Sequence, residues 1–213
     1  MSIVSTQHGR YQVNEYIIDI DQGMRDRALA FATKIKLSGN QYSRLLPEDL
    51  REETSDNIVR ILKLEIQRTY VGKLGELAFL SLLREKGIEC ETAEMFTIYE
   101  GQENTDSFDF VSNDGILIDI KTGFRSNHSR LLINMEQFAN HPKDYYVGVK
   151  LNGQDDTEDD KLILWDSVQT ATIKGYAEKN YLNNRAERDF GEGLAKYIEY
   201  DKLLGIDRLL RMF

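Results

Sequence analysis

The sequence is short of the residues that mark several classes of protein. Its 213 residues include one cysteine, Cys90, which excludes an internal disulfide and suits a reducing cytoplasm. No uninterrupted apolar run approaches the ~20 residues that a membrane span requires. The first ten residues lack a basic start followed by an apolar stretch, so we expect no secretory signal. These absences predict a cytoplasmic protein that does not enter a membrane.

Motifs of several enzyme classes are also absent. The sequence has no glycine-rich phosphate loop, no Ser-His-Asp arrangement and no Cys-x-x-Cys pair. His128 and His141 have no ligand spacing with each other or with a cysteine, which argues against a zinc site. Cys90 has no nearby histidine to activate it, so we interpret it as a small buried residue.

The net charge of −9 argues against a generic nucleic-acid binder, which would usually be basic. The acids are unevenly distributed, however, because five of them fall within residues 155–160. Residues 24–73 carry ten basic and seven acidic side chains. That modest excess fits a nucleic-acid contact and a solvated helix face equally well.

Helix and strand signals alternate along the chain. The alternating run at residues 11–18 predicts a strand or an arm, and Asp21 can cap a helix that starts near Met24. The longest helical pattern runs from residue 55 or 56 to Lys86 and ends at Gly87, and Gly72 and Gly75 within it suggest close backbone approach or a kink. We expect a strand at 88–99, a short helix at 131–139, an interior strand at 144–151 and a helical stretch after Gly175. The apolar tail near residues 203–210 would close the core or contact a second copy.

Residues 107–122 contain two alternating runs separated by Asn113-Asp114-Gly115, which predicts a β-hairpin. A three-residue loop pairs Phe110 with Ile118 and Phe108 with Ile120, so that the apolar faces of both strands coincide. A register shifted by one residue would send one apolar face to solvent. We therefore expect the three-residue loop, with Gly115 in the left-handed conformation.

This register places two aspartates opposite each other on the polar face of the hairpin. Asp109 lies across from Asp119, and directly opposed Cβ atoms are about 5 Å apart, where like charges repel. A cation or a shared proton is what usually makes such a pair tolerable. Carboxylate oxygens are the ligands that Mg²⁺ prefers, so the hairpin predicts a metal site.

The acid of the first strand and the Asp-x-Lys of the second resemble the PD-(D/E)xK nuclease superfamily, over roughly residues 57–151. The matching residues are Asp109, Asp119 and Lys121, with Glu76 on the upstream helix. Phe108 stands where the family's proline would be. Asp106 is a second candidate for the first acid, but alternation puts it on the phenylalanine face.

The resemblance implies roles for these and nearby residues. Asp109, Asp119, the backbone carbonyl of Ile120 and Glu76 would hold Mg²⁺, which Mn²⁺ could replace. Lys121 would orient and help deprotonate the attacking water. Arg125 and Arg130 would grip phosphates, and Gln137 would add a polar contact beside the site; a solvated loop explains the arginines equally well. His128 is a possible but unnecessary general base.

The implied fold is an α/β (α+β) restriction-endonuclease-like core, residues 57–213, with a central mixed sheet flanked by helices and an N-terminal helical extension, residues 1–56. The implied function is a Mg²⁺-dependent DNA endonuclease of restriction type, and cutting both strands would favour a homodimer. Residues 24–70 and the loops 123–130 and 175–190 would contact DNA. The alternatives are a repair, junction-resolving or RNA-cleaving nuclease and an inactive nuclease-fold binding module.

Overall fold

A computed structural model describes residues 1–38, 50, 54–92, 94–98, 109–157, 162–191 and 193–213. The strands are β1 (Ser2–His8), β2 (Tyr11–Asp19), β3 (Phe110–Val111), β4 (Leu117–Gly123), β5 (Arg130–Asn134), β6 (Tyr145–Asn152), β7 (Thr170–Glu178), β8 (Glu187–Asp189) and β9 (Leu194–Glu199). The helices are α1 (Gln22–Ser38), α2 (Ser55–Glu85), α3 (Met135–Asn140), α4 (Lys179–Asn183) and α5 (Ile206–Leu210). Two short 3₁₀ turns occupy Trp165–Ser167 and Tyr200–Lys202.

The described strands form two sheets. The larger has six strands in the order β1-β2-β7-β6-β4-β3, and the smaller has the order β5-β9-β8. Strands β4 and β6 are parallel, whereas every other described pair in the larger sheet is antiparallel. A parallel pair needs a long crossover, and here it contains β5 and α3. The predicted mixed α/β class, with a mixed sheet flanked by helices, is confirmed.

The predicted N-terminal helical extension begins with two strands, and the strand interpretation of residues 11–18 is confirmed by β2. Residues 1–19 form an antiparallel hairpin, and β2 pairs with β7, so the hairpin adds two strands to the larger sheet. The reason is the alternation of β2, which buries Tyr16 and Ile18 in the main core. The helical part of the prediction holds for α1, whose N-terminus is capped by Asp21 Oδ1 accepting from the N–H of Met24 at 2.7 Å.

Helix α2 matches its predicted bounds closely. The Thr54 hydroxyl accepts a hydrogen bond from the N–H of Asn57 at 3.2 Å, and Gly87 follows the helix with φ +73°. Its C-terminal half packs a nearly continuous buried surface against the larger sheet. The role of the tail is also settled, because Ile206 and Leu209 of α5 are fully buried in the same core rather than exposed for a second copy.

One local prediction is wrong and two hold only in part. The described residues of 88–99 contain a turn, with Met95 N–H bonded to Thr92 O, and no strand. The predicted helix at 131–139 begins only at Met135, because Asn134 ends β5 and its side chain caps α3. Strand β7 continues through Gly175 to Glu178, so the predicted helical stretch is reduced to the short helix α4. None of the described helices is long and apolar enough to cross a membrane.

Candidate active site

The hairpin that carries the predicted site adopts the predicted register. Phe110 pairs with Ile118, and the N–H of Ser112 bonds to Ile116 O at 3.0 Å across the three-residue loop. Gly115 has φ +76°, the left-handed conformation that the loop requires. Asp106 and Phe108 lie outside the described residues, so the pairing of Phe108 with Ile120 stays a prediction.

Asp109 lies just before strand β3, which begins at Phe110, and its backbone N–H donates to Ile118 O of β4 at 3.1 Å. Its side chain also contacts β4, because the N–H of Ile120 donates to Asp109 Oδ2 at 2.6 Å. The carboxylate of Asp109 is therefore bound to the backbone of β4 beside Asp119.

Asp119 is almost buried on β4, with 6% of its surface exposed. The ammonium of Lys121 lies 2.6 Å from Asp119 Oδ2, at an angle that makes an ion pair but no hydrogen bond. Lys121 instead donates to Gln137 Oε1 at 2.9 Å. Within the described part of the chain, Asp119 Oδ2 is thus a buried oxygen that accepts no hydrogen bond.

Glu76 enters the site from α2, on the other side of the sheet. Gly75 allows this approach, because a Cβ at that position would overlap Thr122 Oγ1 of β4. Glu76 is 8% exposed, and its Oε2 lies 2.7 Å from Lys73 Nζ. The predicted close backbone approach near Glu76 is confirmed for Gly75 but not for Gly72, around which the space is open.

The electrostatics of Asp109 show that these side chains act on one another. Burial raises the pKa of Asp109 well above its usual range, and the charges of Glu76 and then Asp119 raise it further. The charge of Lys121 and the hydrogen bond from Ile120 lower that pKa. The charges of a carboxylate from α2 and of a carboxylate from β4 therefore both act on Asp109.

The carboxylates have suitable chemistry for a hard divalent cation, although they do not form a closed ligand set. In the described ranges, no three histidine, cysteine, aspartate or glutamate side chains group into a metal site. Glu76 is bound to Lys73, Asp109 accepts from Ile120, and Lys121 lies against Asp119. Carboxylate oxygens are the donors that Mg²⁺ prefers, and Asp119 Oδ2 accepts no hydrogen bond in the described structure, so metal binding stays a prediction. The role of the Ile120 carbonyl stays a prediction.

Two residues near the carboxylates escaped the sequence analysis. Lys143 is 5% exposed, and its Nζ donates to His141 O. The backbone N–H of Lys143 donates to the hydroxyl of Tyr146 at 2.9 Å. Tyr146 is the residue of β6 that pairs with Asp119 of β4 in the sheet. Burial lowers the pKa of Lys143, and the charge of Asp119 acts against that shift. The available signal was its position just before β6, the parallel neighbour of β4.

The predicted phosphate-binding arginines have other neighbours. Arg125 stacks 5.8 Å from the centre of the Phe124 ring. Arg130 lies 5.7 Å and 5.9 Å from the ring centres of Phe190 and Tyr197, on the smaller sheet. Among the described residues, the partners of Asp109 and Asp119 are Ile120 and Lys121 rather than these guanidinium groups, so the role of the arginines in binding stays a prediction.

His128 has a structural environment rather than that of a general base. Its ring packs so closely on Gly123 that any side chain there would overlap it, and its Nε2 bonds to Arg130 O. Burial is the main cause that lowers the pKa of His128 to about 4. His128 is consequently neutral near pH 7 and holds the loop before β5 in place.

No protein-family model, no curated protein and no solved structure matches this chain. The case for a function therefore depends on the residues and geometry described above.

Proposed function

We propose that this protein is a metal-dependent nuclease with a restriction-endonuclease-like core, and that it hydrolyses DNA phosphodiester bonds. The observation that carries the proposal is the group of charged side chains at the hairpin: Asp109 is bonded to the N–H of Ile120, Lys121 lies 2.6 Å from Asp119, and the charges of Glu76 and Asp119 raise the pKa of Asp109. Placing several buried carboxylates together costs stability unless a cation or proton offsets the repulsion. Such clusters of perturbed acids are typical of functional sites.

The proposed roles follow from the donors that each side chain offers. Asp109 and Asp119 would hold Mg²⁺ or Mn²⁺, with Glu76 and the Ile120 carbonyl completing the set. A bound divalent cation supplies a Lewis acid that polarises the phosphate and stabilises charge on its oxygens. Lys121, fixed by Gln137, would orient the attacking water beside Asp119.

A surface of the smaller sheet supports nucleic acid as the substrate. Arg130 lies beside the rings of Phe190 and Tyr197, and Arg188 lies 5.5 Å from the centre of the Phe190 ring. Arginines next to aromatic rings bind backbones and stack on bases, so this surface suits a nucleic-acid strand.

A nuclease-fold binding module without activity is the second candidate. Lys73 and Lys121 lie against Glu76 and Asp119, so lysines already neutralise two of the acids. The net charge of −9 also favours this candidate. Among enzymes, a repair, junction-resolving or RNA-cleaving nuclease of the same fold is the alternative to a restriction-type enzyme.

Cleavage of supercoiled plasmid with Mg²⁺ or Mn²⁺, with and without EDTA, tests the proposal. We expect Asp119→Asn and Lys121→Ala to reduce cutting at least ~100-fold, on the order that general acid–base and metal-site groups contribute. Asp114→Asn is the matched control, because it makes the same chemical change in the exposed turn of the same hairpin.

The cleavage products decide among the candidates. Discrete fragments would indicate a restriction-type enzyme, whereas smearing or structure-selective cutting would indicate a repair or junction nuclease. Cutting that survives EDTA, or that is unchanged in Asp119→Asn, would reject the proposed site. DNA binding without cutting in any metal would favour the binding module.

A further inference from the structure

Strand β1 forms one edge of the larger sheet. It pairs with β2 over its whole length, from Ser2 opposite Ile17 to His8 opposite Tyr11, with a regular register. Among the described strands none pairs with its other side. Alternate residues of this regular seven-residue strand therefore present unpaired N–H and C=O groups at this edge.

The side chains of β1 lack the features that usually prevent another strand from pairing with a sheet edge. In a chain that is 30% charged, β1 contains no aspartate, glutamate, lysine or arginine and no proline. Ile3 and Val4 are 52% and 44% exposed. Natural proteins usually protect such edges with lysine, proline, a bulge or a short strand.

The other described edges have such protection. All three residues of β8, Glu187, Arg188 and Asp189, are charged and exposed. Strand β3 has only two residues, and β5 begins with Arg130. Strand β1 therefore differs from the other described edge strands, whose charge or short length disfavours pairing.

We propose that β1 is an interface that pairs, antiparallel, with β1 of a second copy of this chain. An uncharged strand is the suitable partner for an uncharged edge, and β1 of a second copy is such a strand with an unpaired edge. With full overlap, Ser5 meets Ser5, Val4 meets Thr6 and Ile3 meets Gln7, so no like charges are opposed. Two copies of net charge −9 repel each other, which favours contact along an uncharged strip.

The symmetry and size of this contact define the assembly. Pairing of β1 with β1 of a second copy is isologous and leaves neither β1 edge unpaired, so assembly stops at a dimer. A contact one strand wide is smaller than the interfaces of about 1,600 Å² in stable complexes. The dimer is therefore concentration-dependent, with a Kd on the order of 1–10 μM.

Sedimentation or light scattering of the full chain from about 1 to 100 μM spans this expected Kd and tests the proposal. Ile3→Lys with Val4→Lys should raise the Kd more than ~tenfold, because like charges from both copies would then meet at the contact. Leu37→Lys with Ile58→Lys is the matched control, since both are exposed apolar residues on helices. A protein that is monomeric throughout, or a β1 variant that dimerises like the control, overturns the proposal.

Cysteine cross-linking locates the contact even if the lysine variant fails to fold. Cys90→Ser removes the only thiol, and single cysteines are then placed at residues 2–7. We expect oxidation to cross-link Ser5→Cys most efficiently, because directly opposed strand residues have the Cα spacing of a disulfide. Ser38→Cys, exposed at the end of α1, controls for random collision. Equal cross-linking at Ser38→Cys, or none along β1, rejects the contact; neither result bears on cleavage activity.

Discussion

Replacing Gly75 by alanine tests how the site is assembled, because Gly75 brings Glu76 of α2 close to β4. An alanine Cβ at this position would overlap Thr122 Oγ1 and would also press on Thr122 Cβ and Cγ2. The backbone of α2 must then move away from the sheet. Overpacking of a dense core costs typically about 1–3 kcal/mol. Helix propensity gives back up to about 1 kcal/mol on replacing glycine by alanine.

Gly72 provides a matched control in the same helix. No atom lies within 4 Å of a Cβ at Gly72, so Gly72→Ala gains helix propensity without a clash. We expect Gly72→Ala to stabilise the protein by up to about 1 kcal/mol and Gly75→Ala to destabilise it by about 1–2 kcal/mol. Urea denaturation measures both free energies of unfolding, provided that the transition is two-state.

A second-site change identifies the cause of the loss. Thr122 Oγ1 is buried and forms no hydrogen bond with the described residues, so Thr122→Ala alone should cost little. It removes the atom that the new methyl group of Gly75→Ala would strike, although Thr122 Cβ would still lie 3.0 Å away. We expect partial rescue, with a coupling free energy of about 1 kcal/mol. Equal stability of Gly75→Ala and Gly72→Ala, or no coupling to Thr122, would refute the close approach.

Three further predictions concern charge. The pKa of Asp109 is raised in the folded state, so the stabilisation from this carboxyl group is present below the usual aspartate pKa of about 3.9 and is lost as pH rises through the folded-state pKa. Asp109→Asn should abolish that loss of stability, measured by urea denaturation from acid to neutral pH without metal. Glu15 is buried between His8 and Lys174, so Glu15→Gln should cost about 3 kcal/mol in thermal or urea unfolding, whereas Asp19→Asn at an exposed site should cost almost nothing. Arg130→Ala should weaken DNA binding and flatten its salt dependence, measured by fluorescence anisotropy; an unchanged salt slope would remove Arg130 from the proposed surface.

The hairpin was predictable because local rules determine it. Alternation and the loop chemistry of Asn113-Asp114-Gly115 were sufficient to pair Phe110 with Ile118. Alternation alone did not show that β3 begins only at Phe110, or that the Asp109 carboxylate accepts a hydrogen bond from the N–H of Ile120. Strand ends depend on which backbone groups find partners in the whole sheet, and the residue sequence of one hairpin does not contain that information.

Long-range contacts account for the other differences. The alternation of residues 11–18 predicts a strand or an arm but not its partner, because pairing of β2 with β7 brings together segments more than 150 residues apart. Lys143 and Gln137 approach Lys121 and Asp119 only because the crossover between β4 and β6 returns over the sheet. Gly75 was recognisable as unusual in a helix, yet only the fold shows that Thr122 is what it approaches.

The proposed dimer and the proposed nuclease site together predict the type of cut. Strand β1 and the site on β4 lie toward opposite edges of the larger sheet, with β2, β7 and β6 between them. In a dimer joined at β1, nine strand spacings of about 4.8 Å separate the two β4 strands, or about 43 Å before twist is considered. That distance corresponds to about 13 base pairs along a duplex.

Two such sites would not reach opposed phosphates of one short sequence, so we expect plasmid to be nicked before it is linearised. Nicked circles should therefore accumulate early in a time course, and Ile3→Lys with Val4→Lys should leave the nicking rate per chain unchanged. Linear product formed from the first turnover, and lost in that variant, would mean that the dimer joined at β1 does bring the two sites to opposed phosphates, which would refute the separation argued here.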